Sequence, residues 1–208
     1  MQQVDMKPHN YAVIFLPLVI LLTNFVVLMF STGFYESEFE KLGVYGIVEK
    51  ERADAEVKNL HQYFLGKEET LHTTLFSAKE RIHLLEVRAL LRKGMFLWIS
   101  LVVVFALLLL LHPNLYRVFF WGANATLVLI LLSLFILPLF SQAFLNMHLI
   151  FFEDDSWQLE PGKDALLTLF PEQFFRDFFV RWMINSALAS IAIASLTLLL
   201  RKFKNKKA

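Results

Sequence analysis

The sequence predicts an all-α membrane protein: four transmembrane helices carrying an extracellular, mainly helical cap built from two outer loops. Three observations predict it. The 208 residues are 57% hydrophobic and only 19% charged, whereas soluble domains are about 45–50% apolar with roughly 25% charged residues. The apolar excess is gathered into four uncharged runs, each near the roughly 20 residues that cross a bilayer. The charges are segregated, with a basic C-terminus and an acidic stretch between the last two runs. This excludes an ordinary water-soluble globular protein. The absence of Cys excludes disulfide frameworks, Cys-based zinc sites, thiol nucleophiles and iron–sulfur clusters. A net charge of +1 gives no general basis for nucleic-acid binding.

Residues 1–10 are expected to form a cytoplasmic N-terminus. The first span is 11–31, with Pro17 marking a kink. It does not read as a cleavable signal peptide: one Lys precedes it, the apolar run is too long, and no A-x-A-like site follows. Residues 32–94 form the first part of the cap. The second span, 95–111, is nearly all Leu, Val and Phe, and 112–117 is a short cytoplasmic loop. The third span is 118–140, with Pro138 near its end. Residues 141–181 form the second part of the cap, and the fourth span, 182–200, is richer in Ala and Ser. Each span must be helical, because hydrocarbon offers no water to satisfy the backbone. Asn124-Ala125-Thr126 matches a glycosylation sequon but lies inside a span.

Orientation follows from the basic tail, 201–208, which carries Arg201, Lys202, Lys204, Lys206 and Lys207 and no acid. Positive residues stay in the cytoplasm, so both termini are expected there and both large loops outside. Thr32–Gly94 balances ten bases against eleven acids, whereas Ser141–Val180 has two bases and seven acids, including Glu153-Asp154-Asp155.

Within the first loop, Ala53, Val57, Leu60 and Phe64 recur at helical spacing, and Gly66 stands where a C-terminal cap belongs. Ser77-Ala78-Lys79-Glu80 is a capping box opening a helix that runs on into the second span. The second loop holds Phe144, Phe151, Phe152, Phe170, Phe174, Phe175, Phe178 and Phe179, with Trp157 among them. Pro171 suits the start of a helix. From it, Phe174, Phe175, Phe178, Phe179 and Trp182 share one face, while Glu172, Arg176 and Asp177 fall away from it. This describes an amphipathic helix at the membrane surface. Composition alone fits both an aromatic belt seating the protein in the interface and a lipid-facing pocket.

Of the six His, His9 and His112 are expected on the cytoplasmic side, and His61, His72, His83 and His148 outside. Glu80 and Glu86 flank His83 at i−3 and i+3. A carboxylate beside an imidazole orients it and raises its basicity, although the same spacing also describes a solvated helix face. His148 lies in a Phe-rich segment and must find a polar partner or stay neutral. A neutral imidazole is what a general base requires, and an interfacial His bonded to a carbonyl is the plain alternative. No G-x-S-x-G elbow, P-loop, G-x-G-x-x-G or H-E-x-x-H motif is present. The Glu–His spacing of a di-iron bundle is not repeated on a second helix.

Two stretches together resemble a family. The first is Phe76-Ser77-Ala78-Lys79-Glu80-Arg81-Ile82-His83-Leu84-Leu85-Glu86-Val87-Arg88, with Tyr63-Phe64-Leu65-Gly66 ahead of it. The second is His148-x-x-Phe151-Phe152, then Trp157, Asp164, Leu166-Leu167, Phe170-Pro171-Glu172 and Phe174-Phe175. In this order, with four spans, the chain resembles the lipoprotein intramolecular transacylases (Lit) of Gram-positive bacteria over nearly its whole length. It departs from the family pattern at Glu86, where Asp is expected, and at Glu153-Asp154-Asp155-Ser156, where a Gly-rich turn is expected.

The resemblance implies a bacterial cell-membrane enzyme with its site at the outer leaflet. Such enzymes move one acyl chain from the sn-2 glyceryl ester to the α-amine of the same N-terminal diacylglyceryl-cysteine, giving a lyso-form lipoprotein. It implies His83 and His148 as the catalytic pair. Beside that pair, Glu80, Glu86, Arg88 and Asp164 are expected as supporting residues: Glu80 or Glu86 would orient His83, and Arg88 or backbone N–H groups would stabilise the oxyanion. Tyr63, Phe151, Phe152, Trp157, Phe174 and Phe175 stand around the lipid substrate. The partners are diacylglyceryl-modified lipoproteins and membrane lipid, not nucleic acid, and no cofactor or metal is implied. Two other readings use the same residues: a non-catalytic membrane protein that binds a lipoprotein or lipid under its cap, and a metal-dependent hydrolase built on His61, His72, His83 and His148.

Overall fold

The computed structural model describes residues 11–111 and 114–207. His9 and His112 lie outside the described residues, as do the expected N-terminal segment 1–10 and the start of the 112–117 loop. Among the described residues all regular structure is helical, with no strand. The helices are α1 (Tyr11–Met29), α2 (Thr32–Lys41), α3 (Lys50–Phe64), α4 (Ala78–Leu111), α5 (Leu115–Ser133), α6 (Phe140–Phe151), α7 (Ala165–Leu169) and α8 (Glu172–Lys207). Four stretches are long and apolar enough to cross a membrane: Ala12–Met29, Ala78–Leu111, Leu115–Phe151 and Glu172–Lys206. The protein is therefore a multi-pass membrane protein. The run expected as one span over 118–140 differs in detail. It is α5 followed by a 3-10 segment, Leu134–Leu139, that contains Pro138. A proline ring cannot donate to the preceding turn, and helical pairing resumes only in α6.

The chain forms two compact units. The first comprises residues up to Val26, Phe96–Phe135 and Arg181 onward. Its centre is Ala12, Leu16, Ile20, Phe105 and Val118. α1 continues through Pro17, a substitution that membrane helices tolerate when neighbours cover the freed carbonyl. Two indole N–H groups reach α1: Trp98 donates to Thr23 Oγ1 at 3.0 Å and Trp182 to the Leu21 carbonyl at 2.7 Å. Polar side chains in the spans bond back one turn, as when Asn124 donates to the Phe120 carbonyl and Thr126 to that of Gly122. Such bonds spare a polar group its desolvation cost.

Gly122 is required by close approach. A Cβ placed there would stand 2.8 Å from Leu16 Cβ and Cδ2. Even Gly122→Ala must push α1 and α5 apart, and overpacking of this kind costs about 1–3 kcal/mol. The expected result is a lower thermal midpoint in detergent; an unchanged midpoint would show that the two helices separate without cost.

The second unit comprises Val27–Met95 and Ile136–Val180. The apolar stripe predicted over Ala53, Val57, Leu60 and Phe64 is buried along α3. α3 ends in a Schellman motif: Gly66 has φ +73, its N–H reaches Tyr63 O at 3.1 Å, and the Lys67 N–H reaches Gln62 O at 2.9 Å. The left-handed position explains the glycine. The core of this unit is aromatic. Phe34, Tyr35, Phe39, Phe170 and Phe174 pack ring against ring at centroid separations of 5.2–6.3 Å, each pair contributing about 0.5–1.5 kcal/mol beyond area burial. Lys41 joins α2 to α8 by pairing with Glu38 at 3.1 Å and Asp177 at 2.8 Å.

The α8 face predicted from Pro171 onward is divided. Phe174 and Phe178 are buried, while Phe175 is exposed. Five residues predicted to share a face cover a wide arc of a 3.6-residue helix, and the buried pair, Phe174 and Phe178, lies at one edge of it.

Candidate active site

α4 begins at the predicted capping box. Ser77 Oγ accepts the Glu80 N–H at 3.2 Å, and Glu80 Oε2 accepts the Ser77 N–H at 2.6 Å. The other oxygen, Oε1, accepts the Leu166 N–H at 2.6 Å, and the residue is only 1% exposed. One buried carboxylate thus satisfies free donors at the starts of α4 and α7. Both Glu80 oxygens thus accept backbone N–H groups, and no hydrogen bond joins Glu80 to His83 among the described residues. Glu86 is likewise engaged elsewhere, accepting from Ser156 Oγ at 2.7 Å.

His83 lies one turn into α4, in the charged part of that helix and outside the uncharged run. It is buried, and its Nδ1 has no hydrogen-bond partner among the described residues. Burial, and after it the neighbouring His148, pushes the His83 imidazole down to about 4, against an upward pull from Asp154. His83 is therefore neutral near pH 7. His148, on α6, bonds through Nδ1 to the Phe144 carbonyl at 2.8 Å. A carbonyl only accepts, so Nδ1 is the donor, and the neutral form of the ring carries its lone pair on Nε2.

The two imidazoles stack, with centroids 5.9 Å apart and planes 29° apart. Phe152 touches both, at 4.8 Å from His83 and 5.4 Å from His148. Trp157 packs on His148 at 5.2 Å, Phe144 also packs on His148, at 4.6 Å, and Phe175 lies on Phe144 at 5.0 Å. The sequence had no means to single out Ser156, whose partner is 70 positions away. Phe144 has a signal in the sequence, since it stands one helical turn before His148.

Other expected site residues lie apart. Phe151 is 55% exposed; the helix turns it away while Phe152, just past the helix end, reaches His83. Tyr63 is buried under the Arg88 guanidinium, 4.2 Å from its ring. Arg88 also donates to the carbonyls of Glu68 and Glu69 at 2.9 and 2.8 Å, so it braces the turn after α3. Asp164 precedes α7 and accepts the Glu160 N–H at 2.7 Å, closing the Pro161-Gly162 turn. Phe174 belongs to the aromatic core. His61 packs on Phe30 and Tyr35 at 5.3 and 5.0 Å, and His72 pairs with Thr70 at 3.0 Å. Among the described residues no three His, Asp or Glu side chains are grouped as a metal ion would need.

A family model for the lipoprotein intramolecular transacylase Lit matches residues 10–175, a stretch that holds both stacked imidazoles. The chain belongs to the Lit family. Comparison with curated proteins gives no match. Among solved structures the chain is similar to the membrane-integral lipoprotein intramolecular transacylase Lit from Bacillus cereus, with a TM-score of 0.83 at 20% identity, covering 96% of each chain. It is also similar to two variants of that Lit protein in which one histidine is replaced. The arginine variant gives a TM-score of 0.80 at 21% identity, covering 97% of this chain and 93% of that one. The alanine variant gives 0.80 at 22%, covering 96% and 94%. At these identities the likeness establishes the Lit fold.

Proposed function

We propose that this protein is a lipoprotein intramolecular transacylase of the bacterial cell membrane. It moves an acyl chain from the sn-2 glyceryl ester to the α-amine of an N-terminal diacylglyceryl-cysteine, giving a lyso-form lipoprotein. The observation that carries this reading is the stacked pair of His83 and His148, 5.9 Å apart within a wall of aromatic rings, in a chain of the Lit family. On the positive-inside rule the basic tail keeps both termini in the cytoplasm, which puts both large loops, with His83 and His148, on the outer side of the membrane.

The chemistry needs no acyl-enzyme. The neutral amine nitrogen attacks the ester carbonyl carbon and a C–N bond forms. An imidazole takes the proton shed by nitrogen; His148 Nε2, the lone pair left free by the bond to Phe144, is the group we assign to this step. The tetrahedral centre then collapses, its bond to the glyceryl oxygen breaks, and that oxygen receives a proton from the imidazole pair. The proton count is unchanged, one ester becomes one amide, and the glyceryl group gains a hydroxyl. Amine and ester belong to one molecule, so holding the productive conformer supplies much of the acceleration, up to about 7–11 kcal/mol in the best intramolecular cases. Ring-lined surroundings exclude the water that would hydrolyse the ester.

The test is conversion of a synthetic diacylglyceryl lipopeptide by the purified protein, followed by mass spectrometry. The expected product has unchanged mass and a fragmentation pattern placing one acyl group on nitrogen, and it forms equally in the presence of EDTA. Binding without conversion would favour the non-catalytic reading. Loss of conversion with EDTA, restored by a divalent metal, would favour the metal-dependent one.

A further inference from the structure

Trp157 stands in a long connection without regular structure between α6 and α7. Local backbone bonds there are few: Gln158 N–H to Asp155 O at 3.2 Å, and Leu159 N–H to Trp157 O at 2.9 Å. No helix or sheet therefore places the Trp157 ring, yet that ring lies 5.2 Å from His148. What holds it comes from α4. Lys79, His83 and Glu86 recur at i, i+4 and i+7, along one face of a helix. Each touches the connection in turn. Phe152 lies on His83 at 4.8 Å, Ser156 Oγ donates to Glu86 Oε2 at 2.7 Å, and Lys79 Nζ donates to the Gln158 carbonyl. The last two ties sit immediately before and after Trp157. Ser156 is itself 6% exposed, and its N–H is held by Asp154 Oδ1 at 2.7 Å, which fixes the turn from which the hydroxyl points.

We propose that Ser156 is a positioning residue: its bond to Glu86 fastens the 152–158 connection along the His83 face of α4 and so holds the Trp157 ring against His148. Glu86 then serves the site through Ser156 and Trp157 rather than through His83. The acidic turn has a matching part, since Asp154 prepares the Ser156 backbone for the bond. The proposal rests on the transacylase reading only where activity is the readout.

The experiment has two arms on the full chain in detergent. In the first, fluorescence of Trp157 is taken as the difference between the protein and W157F. Ser156→Ala should leave the ring more accessible to acrylamide and shift its emission, and Glu86→Ala should give the same change. Glu86→Gln, which keeps a carbonyl oxygen to accept the hydroxyl, should restore most of the original signal. Identical Trp157 quenching and emission in S156A and in the parent would overturn the proposal, whatever the activity. In the second arm, S156A should lower kcat about tenfold, the order expected when a hydrogen bond to a charged group is lost, with a smaller change in KM. Glu86→Ala added to S156A should lower it no further. A full additional loss in that double variant would return Glu86 to a role of its own and overturn the linkage. Folding of S156A is checked by its thermal midpoint. If no variant and no parent shows activity, the transacylase reading fails while the fluorescence arm still decides the positioning claim.

Discussion

We expect His83→Ala and His148→Ala each to abolish lyso-form production while the protein still folds. General acid–base catalysis contributes about 10²–10⁴-fold, so either loss takes the reaction to the floor of a mass-spectrometric assay of the lipoprotein N-terminus. The double variant is expected to fall no further than the worse single one, because groups acting as a unit are not additive. Persistent N-acyl product in either single variant would remove that ring from the chemistry. The pH dependence has a definite sign. Burial holds the His83 imidazole near 4, so it stays neutral as pH falls from 7 to 5 and adds nothing to the acid limb in that range. The substrate's α-amine, with an ordinary value of about 7.7–8.0, must shed its proton before it can attack, and the rate declines as pH falls below that value.

Glu80→Ala is expected to give the larger loss of stability. The carboxylate is 1% exposed and accepts N–H groups from Ser77 and Leu166, both at 2.6 Å. Truncation leaves two donors without an acceptor, at about 1–3 kcal/mol each, and opens space where the side chain stood. The expected result is a strongly lowered thermal midpoint and loose docking of α7. Glu80→Gln keeps one accepting oxygen and should fall between Ala and the parent. It also separates two roles. If Glu80 only staples helix starts, E80Q assayed below its midpoint keeps near-parent activity; if it orients His83, E80Q loses activity while folded.

The membrane helices and the local caps were legible from the chain because each is written in contiguous residues. The uncharged runs, Ser77 with Glu80 three places on, and Gly66 after Phe64 need no distant partner to act. The break at Leu134–Leu139 was legible only as Pro138, since hydropathy does not change where helical pairing lapses. Site residues divided in the same way. His83 and His148 stood out by chemistry, but the partners of Glu80, Glu86 and Arg88 did not. A carboxylate at i−3 is as near to a helix start as to the imidazole, and only the fold decides which donor wins. Phe151 and Phe152 are adjacent in sequence, yet only Phe152 meets the imidazoles, because the helix ends between them.

The capping box has a consequence for how this gene can change length. It marks where α4 starts to count, and His83 is three residues beyond Glu80. Each residue of helix turns the next by about 100°. A single codon inserted between Glu80 and His83 would swing His83 and Glu86 together off the face that meets Phe152 and Ser156, although no side chain had been altered. The same insertion among residues 67–76, where no helix sets a phase, changes only the length of a connection. Indels in a lineage of such chains should therefore collect before Ser77 and vanish after it.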